Sequence, residues 1–278
     1  MAVPRATTVE QVIHLLALLF GAGILGILPF LNHRRLKPGF FQLVSVLGGL
    51  AILLTLLVAS PASGPAAAGL VAAGRVGAGL AVLAIIYAGL VTTGRIERAR
   101  VLAWLFLPAG LLAVGLEGWA LVPAASFGAR AWAAAALTAG AGLLGSATLA
   151  LLLGHWYLYS PGLPVSHLGR LTTLAAGFIA ARFLVFMIEA PALARGSLGV
   201  TGKTSLDAAA LLESNLPLLA MRFLLGILIP GVLAWMIDRT VRIRSTQAAT
   251  GLLYVSFIFV LFGEFIAAYL FVLTSVAT

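Results

Sequence analysis

The sequence contains no cysteine. That excludes disulfides, thiolate metal centres, iron–sulfur ligation and a cysteine nucleophile. Charge is almost as scarce. Only 9% of the 278 residues are Asp, Glu, Lys or Arg, against about 25% in a soluble domain. So few charges cannot cover a water-facing surface. Lysine is nearly missing: apart from Lys37 and Lys203, all 17 basic residues are arginine, a bias that suits a GC-rich bacterium. Catalytic signatures are missing too. There is no Walker loop, no Gly-x-Gly-x-x-Gly after a strand, no His-Glu-x-x-His and no Gly-x-Ser-x-Gly elbow. Gly74-Arg75-Val76-Gly77-Ala78-Gly79 is rich in glycine, but it lies inside a long apolar run and reads as helix packing. No signal-peptide cleavage pattern precedes the first apolar run.

What the chain does have is hydrophobic length. Hydrophobic residues make up 62% of it, and its mean hydropathy is +1.13. A helix that crosses a bilayer needs ~20 apolar residues. Eight runs qualify, at about 12–31, 40–59, 70–93, 100–122, 131–155, 168–190, 215–237 and 249–274. The expected class is therefore all-α: a polytopic integral membrane protein with eight transmembrane helices in one domain, 1–278. Pro29, Pro108 and Pro230 fall inside runs, where neighbouring helices can re-satisfy the freed carbonyls. Gly69, Gly74, Gly77 and Gly79, and later Gly140, Gly142 and Gly145, predict close helix contacts.

The connections alternate in charge. Ten basic residues fall on one side: Arg34, Arg35 and Lys37; Arg95, Arg98 and Arg100; Arg170; and Arg239, Arg242 and Arg244. The other side holds four, Arg5, Arg130, Arg195 and Lys203. The positive-inside rule places the first set in the cytoplasm and both termini outside, which an even number of spans permits. The expected location is the cytoplasmic (inner) membrane of a bacterium. The net charge of +9 is explained by these loops, and nucleic acid is not an expected partner. The longest connection, 191–214, is expected outside. There Thr204-Ser205-Leu206-Asp207 resembles a capping box leading into a short amphipathic segment or a plain connector.

A faint repeat runs through the chain. Arg75 and Arg222 are 147 residues apart, as are Glu117 and Glu264, Arg95 and Arg242, Thr93 and Thr240, and Gly79 and Gly226. His33 precedes Pro38-Gly39 much as His155 precedes Pro161-Gly162. Two parallel four-helix halves, 1–125 and 126–278, would produce this pattern.

Charges inside spans are costly, and each marks a functional-site candidate. Helical rise places Arg75, Glu117, Arg182, Glu189, Arg222 and Glu264 in the outer third of the bilayer, with His14 near their level. Arg182 and Glu189 are seven residues apart and share a helix face. Two readings stay open. The set can be a charge-neutral network tying the two halves together. It can also line a pocket for a quinone or lipid, with arginine binding a carbonyl or anionic head group and glutamate with His14 relaying protons. The inner side holds His33, His155 and His167. The first two lie at inner ends of spans and could ligate a b-type haem from opposite sides. Otherwise they belong to an interfacial belt with Trp156, Tyr157 and Tyr159, or to a partner-docking surface.

Eight spans, outside termini and two four-helix halves together resemble the NrfD/polysulfide-reductase family of membrane anchors. The resemblance is one of layout over the whole chain. It implies a quinone site near the outer face, no haem of its own and iron–sulfur partner subunits. The expected role is thus a membrane subunit of a respiratory or other electron-transfer complex, lacking a redox centre and surrounded by lipid and other subunits. A small-anion transporter and a purely structural assembly subunit are the alternatives.

Overall fold

The computed structural model describes residues 8–58, 67–122, 126–159, 165–194 and 216–274. The proposed capping motif at Thr204–Asp207, Pro161-Gly162, and the basic residues Arg5, Arg195 and Lys203 lie outside them. Among the described residues there are helices and no strands. Eight helices are long and apolar enough to cross a membrane. They are spans 1 to 8: Thr8–Phe30, Pro38–Val58, Ala68–Thr92, Ile96–Leu121, Phe127–Tyr159, Ser166–Glu189, Leu216–Arg242 and Thr246–Leu273. The end bearing the basic loops is called the inner end below, after the charge rule.

All boundaries fall within five residues of those predicted from hydropathy. Span 5 gains the most length, four residues at each end. It runs for 33 residues, through His155, Trp156 and Tyr157, because nothing breaks a helix before Pro161. At ~1.5 Å per residue that is ~50 Å, well beyond the ~30 Å hydrocarbon core. The aromatic–histidine stretch is therefore mostly the projecting end of a helix and not a loop.

Spans 1 to 4 pack as a ring, 1 on 2, 2 on 3, 3 on 4 and 4 on 1, and spans 5 to 8 do the same. The two rings meet mainly through span 1 against span 5, with span 1 also touching span 8 and span 4 touching span 5. Each ring thus offers its first and last helix to the other. Spans 1 and 5 form the centre and are by far the most enclosed, 78% and 83% buried over their apolar windows. Glycine makes their crossing possible. A Cβ on Gly23 would overlap the backbone carbonyl of Ala141, and one on Gly145 would overlap the backbone of Gly23. Without side chains in between, the two backbones touch and gain dispersion contact that lipid cannot replace.

Two spans are interrupted, each just ahead of a proline. In span 4 the helix Ile96–Ala103 ends, turns through Trp104 and Leu105, and restarts at Phe106. Pro108 has no N–H for the carbonyl of Trp104, so the chain tightens into bonds from Trp104 to Val101 and from Leu105 to Leu102. In span 7 the residues Leu224–Leu228 form a π-helical turn, two residues before Pro230. There the proline leaves the Gly226 carbonyl unmatched, and the wider turn absorbs the mismatch.

The turns after spans 3 and 7 are built alike, but in a register of 150 residues and not 147. Arg95 donates to the Leu90 carbonyl and Gly94 to Val91. Ser245 donates to Thr240 and Arg244 to Val241. Both are the closing pattern of a helix that ends on a left-handed residue, with φ +73° at Gly94 and +59° at Arg244. The gapless alignment therefore slips by three residues between the charged positions and the turn. Arg95 and Arg242 are not structural counterparts. Glu264 also lies about one helical turn nearer its inner turn than Glu117 does, and the two glutamates meet different partners.

Candidate functional site

The outer-third residues separate into two clusters, one in each ring. In the second ring Arg182 of span 6, Arg222 of span 7 and Glu264 of span 8 converge. They are 2%, 0% and 1% exposed. Arg182 Nε and Nη2 donate to the two carboxylate oxygens of Glu264, each at 3.0 Å. Arg222 Nη2 donates to Oε1 of the same carboxylate, also at 3.0 Å. Arg182 Nη1 reaches the backbone carbonyl of Ala136 on span 5 at 3.3 Å. One side-chain cluster so joins spans 5, 6, 7 and 8. The planar guanidinium suits this, because its fork matches a carboxylate in two bonds at once.

Room for two guanidinium groups comes from glycine. A Cβ on Gly140 would sit 2.6 Å from Glu264 Oε2. One on Gly226 would overlap the Arg222 guanidinium, and Gly263 backs directly onto Gly226. Glu189, two turns beyond Arg182, completes the balance: two arginines and two glutamates. Its Oε1 accepts a hydrogen bond from the Trp132 indole. Its Oε2 is buried with no hydrogen-bond partner among the described residues. This network lies within one ring and does not join the two.

The first ring has a smaller cluster. His14 Nδ1 faces the carbonyl of Thr55 at 3.0 Å, so that nitrogen must carry a hydrogen. His14 Nε2 faces Glu117 Oε1 at 3.2 Å. Two lone pairs would repel at that distance, so a proton lies between them, on one partner or the other. The His14 side chain is 20% exposed and that of Glu117 5%. His14 is thus the more accessible member of the pair. Arg75, the sequence counterpart of Arg222, is exposed. It makes no ion pair with Glu117 or with any other described residue.

At the inner end His33 and His155 have protein partners, whereas Nε2 of His167 is buried with no hydrogen-bond partner among the described residues. His33 is 3% exposed. Its Nδ1 donates to the Leu31 carbonyl at 3.0 Å, so in the neutral ring Nε2 accepts from the Tyr87 hydroxyl at 2.8 Å. The ring stacks on Phe41 at 4.2 Å between centroids. His155 Nδ1 pairs with Tyr254 at 2.9 Å. Both nitrogens of His33 are used, so axial haem ligation would require breaking the Tyr87 bond. Among the described residues no three metal-ligating side chains cluster. Trp156 packs edge-on to Phe40 at 5.8 Å, docking the end of span 5 onto the start of span 2. That contact fits the interfacial reading of the aromatic stretch.

Burial holds the His33 imidazole below the usual histidine value, and Arg100 adds to the effect. The sign follows directly. A base with a depressed folded pKa stabilises the fold above the unfolded value, ~6.5. That contribution is lost as pH falls toward the folded value. Thermal unfolding in detergent is expected to lose stability between pH 7.5 and 5. In His33→Gln that part of the slope should flatten, and an unchanged slope would contradict the assignment.

The partners Tyr87, Tyr254 and Trp132 carry no signal in the sequence, where they look like any aromatic in an apolar run. The same holds for the glycine floor under Arg222. A groove of about 760 Å³ lies between spans 6 and 7. A smaller cavity of about 360 Å³ sits at the outer end between spans 1, 7 and 8, walled by Val9, Val12, Leu218, Phe265, Ile266 and Tyr269. It adjoins Glu264 through the next two residues of span 8. No protein-family model matches this chain, and no curated protein or solved structure matches it either.

Proposed function

We propose that the chain is an integral membrane subunit of an electron-transfer assembly, lacks a redox centre of its own, and binds a quinone in the outer third of the bilayer. The layout it shares with NrfD-type anchors points the same way, as does placing both termini outside a bacterial inner membrane. The observation that carries the reading is the His14–Glu117 contact. It holds one exchangeable proton at the outer end of the bundle, which is what oxidation of a quinol requires of its surroundings. The apolar cavity beside Glu264 offers a place for the ring at the same depth. The Arg182–Glu264–Arg222 cluster adjoins its span 8 wall, where Phe265 and Ile266 follow Glu264.

Glu117→Gln is the direct test, since it keeps shape and hydrogen bonding but cannot release a proton. Quinol oxidation by the assembly purified from native membranes is expected to fall by about 10²-fold or more, with unchanged thermal unfolding. Full turnover in the folded variant would remove the proposal. The interrupted spans 4 and 7 favour a second reading, because broken helices line transporter sites. Uptake of a small anion into proteoliposomes holding this chain alone would decide for it.

A further inference from the structure

The groove lies where spans 6 and 7 pack less closely than spans 2 and 3 do in the first ring. Beside the π-helical turn at Leu224–Leu228, the small residues Ala176 and Ala180 of span 6 and Gly231 of span 7 leave the space between the two helices unfilled. The walls are otherwise apolar, and the groove opens sideways toward lipid. It extends from Thr172 to Phe183 along span 6 and from Phe223 to Arg242 along span 7. Nineteen steps of helix measure ~28 Å, so the groove runs from the inner membrane surface past the midplane of a ~30 Å hydrocarbon core. Its polar end is the inner one.

The polar end of the groove is basic. Arg242 lines it beside Asp238, whose carboxylate accepts from Arg242 Nε at 2.7 Å. Arg239 lies over the ring of Trp235, another wall residue, at 5.7 Å, and its guanidinium has no acceptor among the described residues. The hydroxyls of Thr172 and Thr173 are already spent on the Gly169 carbonyl. Two arginines against one aspartate leave a net positive mouth at the membrane surface, with the Arg242 side chain 70% exposed. A neutral quinone ring needs buried donors, and this mouth has none. A phosphate that stays in water finds its partners here.

We infer that this groove holds one anionic phospholipid of the inner leaflet, with its phosphate between Arg239 and Arg242 and an acyl chain along Ile179, Phe183 and Ile227. Basic pockets between transmembrane helices on the cytoplasmic side favour such head groups. The inference is independent of the electron-transfer reading.

Native mass spectrometry of the full chain in detergent tests it, titrating phosphatidylglycerol, phosphatidylcholine and menaquinone in turn. One phosphatidylglycerol should be retained with about tenfold preference over phosphatidylcholine. The surface double variant Arg239→Gln/Arg242→Gln should lose that preference. Gly231→Leu, which fills the groove, should retain no lipid at all. Equal retention of phosphatidylcholine, an undiminished preference in the double variant, or menaquinone held in place of phosphatidylglycerol would each overturn the inference. The double variant alters only exposed side chains, so it decides the matter even if Gly231→Leu fails to fold.

Discussion

Glu264→Ala is expected to destabilise the protein by about 3–5 kcal/mol, the usual cost of breaking a buried ion pair by removing one partner. The reason is what stays behind. Arg182 and Arg222 would keep their charges 2% and 0% exposed with no carboxylate between them. Their mutual repulsion, now held off by Glu264, would act across a region of low dielectric. The measurement is thermal unfolding in detergent. A companion variant separates charge from shape: Arg182→Met/Arg222→Leu/Glu264→Leu removes all three charges together and should recover most of the loss, since apolar replacements of whole buried clusters are often neutral or better. A normal melting profile for Glu264→Ala would show that the cluster is not held in the interior as described. This cost also explains why Glu117, and not Glu264, is the position at which to test proton transfer. Lost turnover in a Glu264 variant would mix folding with chemistry.

The second large effect is expected at the crossing of spans 1 and 5. Gly145→Leu should cost about 3 kcal/mol, the upper end of the usual range for overpacking, or more. The obstacle there is backbone: the added Cβ would overlap Gly23 itself. No rotamer change can relieve that, so span 1 must move, and with it the main contact between the two rings. Gly142→Ala makes the contrast. The three atoms nearest to its Cβ would all belong to the ring of Phe178, a side chain that can swing aside, and the loss should be clearly smaller. Unfolding midpoints of the two variants check the order. Equal losses would mean that the rings are not held by this crossing.

The candidate site was partly legible. The depth of Arg182, Arg222 and Glu264 follows from counting residues along apolar runs, and depth alone brought them to one level. Arg75 passed the same count and yet lies exposed, because depth says nothing about the direction in which a helix turns its side chain. His14 was legible as a neighbour of the set, but its pairing with Glu117 was not. That pairing depends on span 1 lying against span 4. His33 and His155 share a sequence setting and one end of the bundle. Each is nonetheless taken up by a tyrosine from another span, Tyr87 or Tyr254, that no spacing rule links to it.

The membrane class, the eight spans and the alternation of basic loops are all local properties. Each depends on a stretch of ~20 residues and its partition between water and hydrocarbon, so the amino-acid order alone settles them. The extension of span 5 to Tyr159 is local too, though hydropathy hides it, since a helix outlasts the apolar run that earns the name of span. Pairing is another matter. Which arginine meets which glutamate depends on helix rotation, on the π-helical turn ahead of Pro230 and on where glycines let backbones touch. Those are set by contacts between residues far apart in the chain, such as Gly23 with Gly145, 122 positions on, and only the packed bundle brings them together.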